Sequence, residues 1–439
     1  MPSGHLLVLY TFGAIVLLLV LILAARLHAF LALIVTSMAL GLVCRMEPVQ
    51  VLKSMQAGFG EALGFIAVVV ALGAMIGRFL EYSGGGRALA EWLLARTGKE
   101  RAVWAVLIAA FLIGLPIFFE VGLIILLPVA YSLARESKKS LLTFGLPMAC
   151  ALTVTHAMVP PHPAPAAAAS LLGADLGKAI LYGIAVSVPM VIAGGIFYAP
   201  WISRRIFVPV PERAASAQLS SAPPPPVWLV VLMVTLPVLL IFAATLAGPG
   251  NRVFAFLGHP FTALTVTALL CMWLFGFRRG LSRDEVSKMM TASLAPIGTL
   301  LAIMGGGGAF KQVIVDSGAG PQAGAMLASS SISPLLLAYV VAAAMRVAQG
   351  SATVAIITAA GIVAPLVKNL PGYSPEMILL ALCCGGTILS HVNDAGFWLV
   401  NESFGMTVPQ TLKSWTVMKV ITSITGILIV LAAQAVIAK

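Results

Sequence analysis

Apolar runs of about 18 to 25 residues recur along the whole chain, the length a helix needs to cross a ~30 Å hydrocarbon core. At that depth the backbone has no water to bond, so each such run reads as a self-satisfied helix. Charged residues make up only 9% of the 439 residues, against about 25% in an ordinary soluble domain. The fold class is therefore an all-α polytopic membrane protein. The first run, Leu6 to Ala25, has no Lys or Arg before it and reads as a retained span rather than a cleaved signal peptide. The net charge of +11 would suggest nucleic acid in a soluble protein. Here Lys and Arg cluster in short loops, so the charge reports topology and no nucleic-acid partner is expected. Cys44, Cys150, Cys271, Cys383 and Cys384 lie in apolar runs without metal-ligand spacing, so they read as packing residues and no metal is expected.

One half of the chain echoes the other. "HAFLALIVT" at 28–36 returns as "HPFTALTVT" at 259–267, and "YSGGG" at 82–86 as "DSGAG" at 316–320. Thr155-His156 matches Ser390-His391, and Lys178 matches Lys413, all at nearly one offset. The chain reads as a duplicated unit: a first repeat over 1–205, a Pro/Ser/Ala-rich linker over 206–226, and a second repeat over 227–439.

The first half offers spans near 6–25, 29–45, 62–80, 140–158 and 177–200. Between them, 102–134 holds two apolar arms of about 15 residues that meet at "GLPIFFEVG", each short for a crossing. A re-entrant hairpin fits better. Five spans plus one hairpin make an odd number of crossings, so the second repeat is expected to be inverted. The positive-inside rule agrees. Arg26, Arg87, Arg96, Lys99, Arg101, Arg135, Lys138, Lys139, Arg204, Arg205 and Arg213, with Arg278, Arg279, Arg283 and Lys288, then share one side, and the other keeps few basic residues, such as Arg45, Lys53 and Arg252. The expectation is two inverted repeats, each with about five transmembrane helices and one hairpin (102–134 and 333–367). Each also carries a broken helix (140–172 and 375–403). Both termini would be periplasmic and the linker cytoplasmic.

Inverted repeats with broken helices place a substrate near the midplane, at the breaks. The first hairpin tip carries Glu120 between Phe119 and Val121. It is either hydrogen-bonded into the packing or a protonatable carboxylate in a transport path, and ionisable groups at membrane depth are rarely kept for packing. The second tip, "RVAQGSATVA", offers Gly350 for close backbone approach, Ser351 and Thr353 as hydroxyls, and a helix start suited to an anion. Small-residue helix packing is the plainer reading. Arg346 would pair with a carboxylate or attract an anion. The first break, "THAMVPPHPAP", is flanked by His156 and His162, without the carboxylate or thiol that zinc would want. The second, "SHVNDAGFW", sets Ser390, His391, Asn393 and Asp394 where the prolines stand in the first copy. These groups meet a substrate, an ion or one another. The run "IMGGGGAFKQVIVDSG" lacks phosphate-loop spacing and reads as close helix packing.

Taken together, "GLPIFFEVG", "THAMVPPHPAP", "GGGGAFKQVIVDSG", "GSATVA" and "SHVNDAGFW" resemble the gluconate permease family, from about residue 60 to residue 425 and in order. Those bacterial proton symporters take up gluconate and related sugar acids, and a D-serine carrier is among them. The resemblance implies the ion transporter superfamily, a homodimeric scaffold and elevator-like movement in the bacterial inner membrane. Where the family's break usually reads "PPHPGPTA", this chain has Ala164 and Ala166; loss of a Thr hydroxyl points to a shorter or less hydroxylated acid.

The expected function is secondary active import of gluconate or a related small hydroxy acid with protons, the proton being the only coupling agent and no cofactor being needed. His156, His162, Gly350, Ser351, Thr353, Ser390, His391 and Asn393 would hold the substrate carboxylate and hydroxyls. Glu120 or Asp394 would carry the proton. Alternatives are a carrier of the same fold for a shorter hydroxy acid or D-serine, and a sodium-coupled carboxylate carrier. A channel fits paired hairpins less well. An intramembrane hydrolase lacks a nucleophile setting, so no enzyme is expected.

Overall fold

In the computed structural model, residues 4–211, 224–247, 251–318, 333–367, 370, 372–392 and 394–437 are described, and they form helices and connections with no strand among them. The middle of the linker, nearly all of the uncharged 318–333 stretch, and Asn393 lie outside the described residues.

The first half runs through α1 (Gly4–Leu23), α2 (Ala29–Val43), α3 (Pro48–Tyr82) and α4 (Gly85–Thr97). Glu47 starts α3 by accepting the Gln50 N–H at 2.8 Å, with Pro48 at the first helical position. Next come α5 (Ala102–Gly114) and α6 (Phe119–Ser137), which meet at Leu115–Phe118. With 13 residues, α5 is about 20 Å long and too short to cross alone. Helix α7 (Leu142–Met158) stops at Val159-Pro160-Pro161-His162 and α8 (Pro163–Leu172) resumes. The prolines lack N–H groups and clash with the preceding turn, so the helix has to break there. Helix α9 (Leu176–Val191) passes through a π turn into α10 (Ala199–Ser203).

The second half holds α11 (Val227–Ala247), α12 (Arg252–Leu257), α13 (Pro260–Cys271), α14 (Arg283–Leu294) and α15 (Gly298–Asp316). Helices α16 (Pro334–Gln349) and α17 (Ala352–Val367) meet at Gly350-Ser351. Helix α18 (Pro375–Gly386) ends before an irregular stretch, and α19 (Ala395–Phe404), α20 (Val408–Thr411) and α21 (Val417–Ile437) complete the chain. The echoed segments start helices in the same way. His28 Nδ1 accepts the Phe30 N–H at 3.3 Å and caps α2, and His259 Nδ1 accepts the Phe261 N–H at 3.3 Å and caps α13.

Six helical stretches among the described residues are long and apolar enough to cross a bilayer: Pro48–Tyr82, Leu142–Leu172, Leu176–Ser203, Val227–Ala244, Pro260–Arg279 and Val408–Val436. The proline-broken stretch differs from the rest. Of its apolar window 89% is buried inside the protein, against 28–47% for the other five. An interrupted helix survives at membrane depth only where protein or a wet cavity covers its freed backbone, and protein covers this one. Helix α18 is buried from Glu376 to Gly386 and packs against α7, α8, α16 and α21. The two halves are tied there: the Asp175 N–H donates to Glu376 Oε1 at 2.9 Å. The glycine run lies in α15, packed on α2 and α3. A Cβ on Gly58 would meet the Gly308 carbonyl, and one on Gly308 the Gly58 carbonyl, so the run is a close-packing surface. Lys311 in the same helix stands 3.9 Å from the Glu61 carboxylate.

Candidate functional site

A cavity of about 250 Å³ lies where both hairpin tips and the second helix break come together. Its wall has Phe119 and Glu120 from α6, Thr153 and His156 from α7, and Arg346 from α16. Gly350, Ser351, Ala352 and Thr353 come from the second tip, and Asp394, Ala395 and Gly396 from the break. Trp415 and Lys419 close it from the C-terminal stretch. The helices α6, α17 and α19 all begin at this wall. Each helix start leaves backbone N–H groups without intrahelical acceptors and carries a partial positive charge.

Arg346 and Asp394 form the ion pair of the site. Arg346 is 2% exposed and ion-pairs through Nη2 with Asp394 Oδ2. Its Nη1 donates to the Gly350 carbonyl and its Nε to the Ile388 carbonyl at 3.2 Å. One guanidinium therefore ties the second tip to the second break. Gly350 ends α16 at φ 79°, left-handed backbone that a side chain would strain. Asp394 caps α19 by accepting the Gly396 N–H at 2.9 Å, and also accepts from Ser390 Oγ. Ser390 Oγ in turn accepts from Trp415 Nε1 at 2.6 Å. Phe119 of the first tip stacks on Trp415, ring centroids 5.5 Å apart.

The expected site residues separate into two layers. Glu120, His156, Gly350, Ser351, Thr353 and Asp394 line the cavity together. Glu120 is exposed, with no ion-pair partner among the described residues. His156 is half-buried, and its Nδ1 is shielded from solvent without a hydrogen-bond partner among the described residues. His162 stands behind it, ring centroids 4.7 Å apart, with Nε2 2.6 Å from the Gly114 carbonyl of the first tip. Ser390 is spent on Asp394 and Trp415, and His391 Nε2 lies 3.1 Å from the Val347 carbonyl. The alternative of Asp394 meeting its neighbours is realised with Ser390 and Arg346 rather than with the His391 ring. Ala164 and Ala166 are 1% and 0% exposed inside α8, outside the cavity wall.

Two groups were not among the residues expected at the site. Trp415 supplies an aromatic wall. Lys419, 1% exposed, donates to Thr153 Oγ1 at 3.0 Å and to Thr387 Oγ1. A lone lysine in "WTVMKVITSITG" was the available signal, since a cation at membrane depth is costly enough to mark function.

A second cavity, of about 290 Å³, lies on another side of the first tip and is lined by Pro116, Ile117, Phe118 and Val121 with Arg78, Glu81 and Ser293. Adjacent phenylalanines thus wall two different spaces: Phe118 the second cavity, Phe119 the first.

Spanning helices gathered around an interrupted, charge-bearing centre define a polytopic membrane transporter. Known proteins narrow this further. The profile of the GntP family permeases matches residues 6–437. The gluconate permease of Pseudomonas aeruginosa is 41% identical over 426 residues, 94% of each chain. The Gnt-II system L-idonate transporter of Escherichia coli is 38% identical over 432 residues, 97% of this chain and 98% of its own. The solved YdaH transporter of Alcanivorax borkumensis shares the fold at 16% identity, with a TM-score of 0.62 over 87% of this chain and 86% of its own. The chain belongs to the GntP permease family, and is a transporter rather than an enzyme.

Proposed function

We propose that the protein imports gluconate or a closely related sugar acid, in symport with protons, across the bacterial inner membrane. The observation that carries this reading is the single cavity on which three helix starts, Arg346 and Lys419 converge beside two carboxylates. Helix starts and cations together suit a carboxylate ligand. Thr153, Ser351, Thr353 and the unpartnered His156 Nδ1 supply the hydroxyl-bonding partners a sugar acid needs. The volume falls below the ~300–1,000 Å³ typical of pockets for drug-sized ligands, as a small acid requires. His162 and Ser390 act from behind, through Gly114 and Asp394; His391 belongs to the stretch that leads to Asp394, and Asn393, outside the described residues, keeps its expected role from the sequence alone. Glu120 and Asp394 are the candidates for the coupling proton. Relatives named for gluconate and L-idonate support an aldonic acid. The shorter-acid alternative loses its footing, because Ala164 and Ala166 lie outside the cavity wall.

The two halves are read as inverted repeats, with the linker cytoplasmic and both termini periplasmic. The echoed histidine caps, the paired tips and the paired breaks support that reading. An elevator movement of the unit containing α7, α8 and α18 within a homodimer is the accompanying proposal.

Labelled gluconate should accumulate in proteoliposomes under an inward proton gradient in sodium-free buffer. L-idonate should compete, and D-serine or D-glycerate should not. Uptake that requires sodium, or that D-glycerate blocks better than idonate, would overturn the assignment.

A further inference from the structure

Lys419 is the one cavity cation without a carboxylate partner among the described residues. Among the described residues its ammonium bonds only the neutral hydroxyls of Thr153 and Thr387, and it stands 5.7 Å from the Trp415 ring centroid. An ammonium has three donors, and a cation buried this far is stabilised chiefly by a counter-charge. The groups around it come from every element packed there: Glu120 of α6, Cys150 and His156 of α7, Arg346 of α16 and Asp394 at the start of α19, with His162 behind. Arg346 and Asp394 cancel in their ion pair. With Arg346 and Asp394 paired, the carboxylate and the ammonium left without an ion-pair partner on the cavity wall, among the described residues, are Glu120 and Lys419.

We propose that Lys419 is the ammonium on which the substrate carboxylate lands, and that Glu120 takes up one proton for each acid anion bound, so that the cavity is neutral whenever the carrier reorients. This rests on the reading of the cavity as a carboxylate site, and adds the cation, the proton carrier and the stoichiometry. When the cavity is empty, ionised Glu120 offsets Lys419. When it is loaded, the substrate carboxylate offsets Lys419 and Glu120 is a neutral acid. One proton and one anion enter together on the outside, and both leave on the inside. An empty cavity with Glu120 protonated carries one positive charge, and a loaded cavity with Glu120 ionised carries one negative charge. Either is penalised in a low-dielectric interior. Leak of protons alone and of substrate alone are blocked by the same rule, and transport is electroneutral.

The test is gluconate uptake into proteoliposomes at a fixed pH gradient, with potassium and valinomycin setting the membrane potential. The expected plateau changes by less than about twofold between zero and ~100 mV, inside negative, because no net charge crosses. A cycle moving one net charge would shift the plateau by about 50-fold over the same range, and that result would overturn the proposal. In Glu120→Gln the loaded cavity keeps its neutral charge, but the empty one is left positive. Net uptake should fall about tenfold or more while exchange of labelled for unlabelled gluconate falls less than about threefold and loses its pH dependence. Equal loss of both, or pH-driven net uptake as in the wild type, contradicts it. Lys419→Gln should raise the half-saturating gluconate concentration for exchange by about tenfold or more, with Lys419→Arg recovering part of it. An unchanged value removes Lys419 from the site. Should Lys419→Gln fail to fold, the wild-type potential series and Glu120→Gln still decide. If the wild type takes up no sugar acid under any gradient, the carboxylate reading itself fails; uptake that moves charge removes only the coupling rule.

Discussion

Arg346→Gln lowers the stability of the folded protein by about 3–5 kcal/mol and reduces uptake to background, because it breaks a buried ion pair from one side. The guanidinium is 2% exposed and bonds three groups: the Asp394 carboxylate and the carbonyls of Gly350 and Ile388. Glutamine reaches at most one of them. Asp394 is then left without an ion-pair partner among the described residues, with hydrogen bonds from Ser390 and the Gly396 N–H. The two carbonyls lose their donor at a helix end and at a break, the positions where free backbone groups are most costly inside a membrane. Thermal unfolding in detergent reads the loss. Adding Asp394→Asn to Arg346→Gln should recover part of the stability, since a neutral amide costs less to bury than an unpaired carboxylate, and should not recover uptake. An Arg346→Gln protein that melts with the wild type would show that the pair does not hold the tip to the break.

The second large effect belongs to a glycine. Gly58→Val forces the branched side chain into the Gly308 carbonyl across the α3–α15 contact. A backbone oxygen cannot swing away as a side-chain tip can, so the helices have to separate and leave gaps along their shared face. A cost at the upper end of the ~1–3 kcal/mol typical of overpacking is expected. Gly60 supplies the control within the same helix. It is exposed with nothing within 4 Å of an added Cβ, so Gly60→Val should melt with the wild type. Two residues apart on a helix lie on opposite sides of it, and since valine is no worse a helix former than glycine, equal losses in the two variants would mean that the α3–α15 contact does not set the effect.

Much of the site was readable because its signals are local. Prolines at 160, 161 and 163 have to break a helix wherever they fall. Glu120 and Asp394 stand out because carboxylates are rare in apolar surroundings, and the echo between halves aligns the "SHVND" break with the proline break. Gly350, Ser351 and Thr353 followed from being small and polar at a tip. What the sequence withheld was direction. Ser390 and His391 stand in the same break as Asp394, yet only Asp394 lines the cavity. Leu389 adopts φ 44°, turning the chain so that Ser390 points at Trp415 and Asp394. A left-handed leucine has no sequence signature. Of the Arg346 alternatives, the carboxylate partner is present as Asp394, a contact 48 residues away that no local pattern shows. Lys419 was hidden by an apolar run whose neighbour Lys413 drew notice through the repeat. Its value comes from Thr153, 266 residues earlier, and no local pattern carries that information. Ala164 and Ala166 mislead in the opposite sense, since a motif position beside the break reads as substrate-facing while α8 turns both into the packed interior.

We propose that substrate is held in the cavity between the two tips, and Thr353→Cys tests this most directly. The five native cysteines are buried, so a water-soluble thiol reagent should report on the new cysteine. Gluconate at ten times its dissociation constant should slow modification about tenfold by occupying the cavity, and D-serine at the same concentration should not. Modification at an unchanged rate, at gluconate concentrations that saturate uptake by the same preparation, would place the substrate elsewhere in the fold.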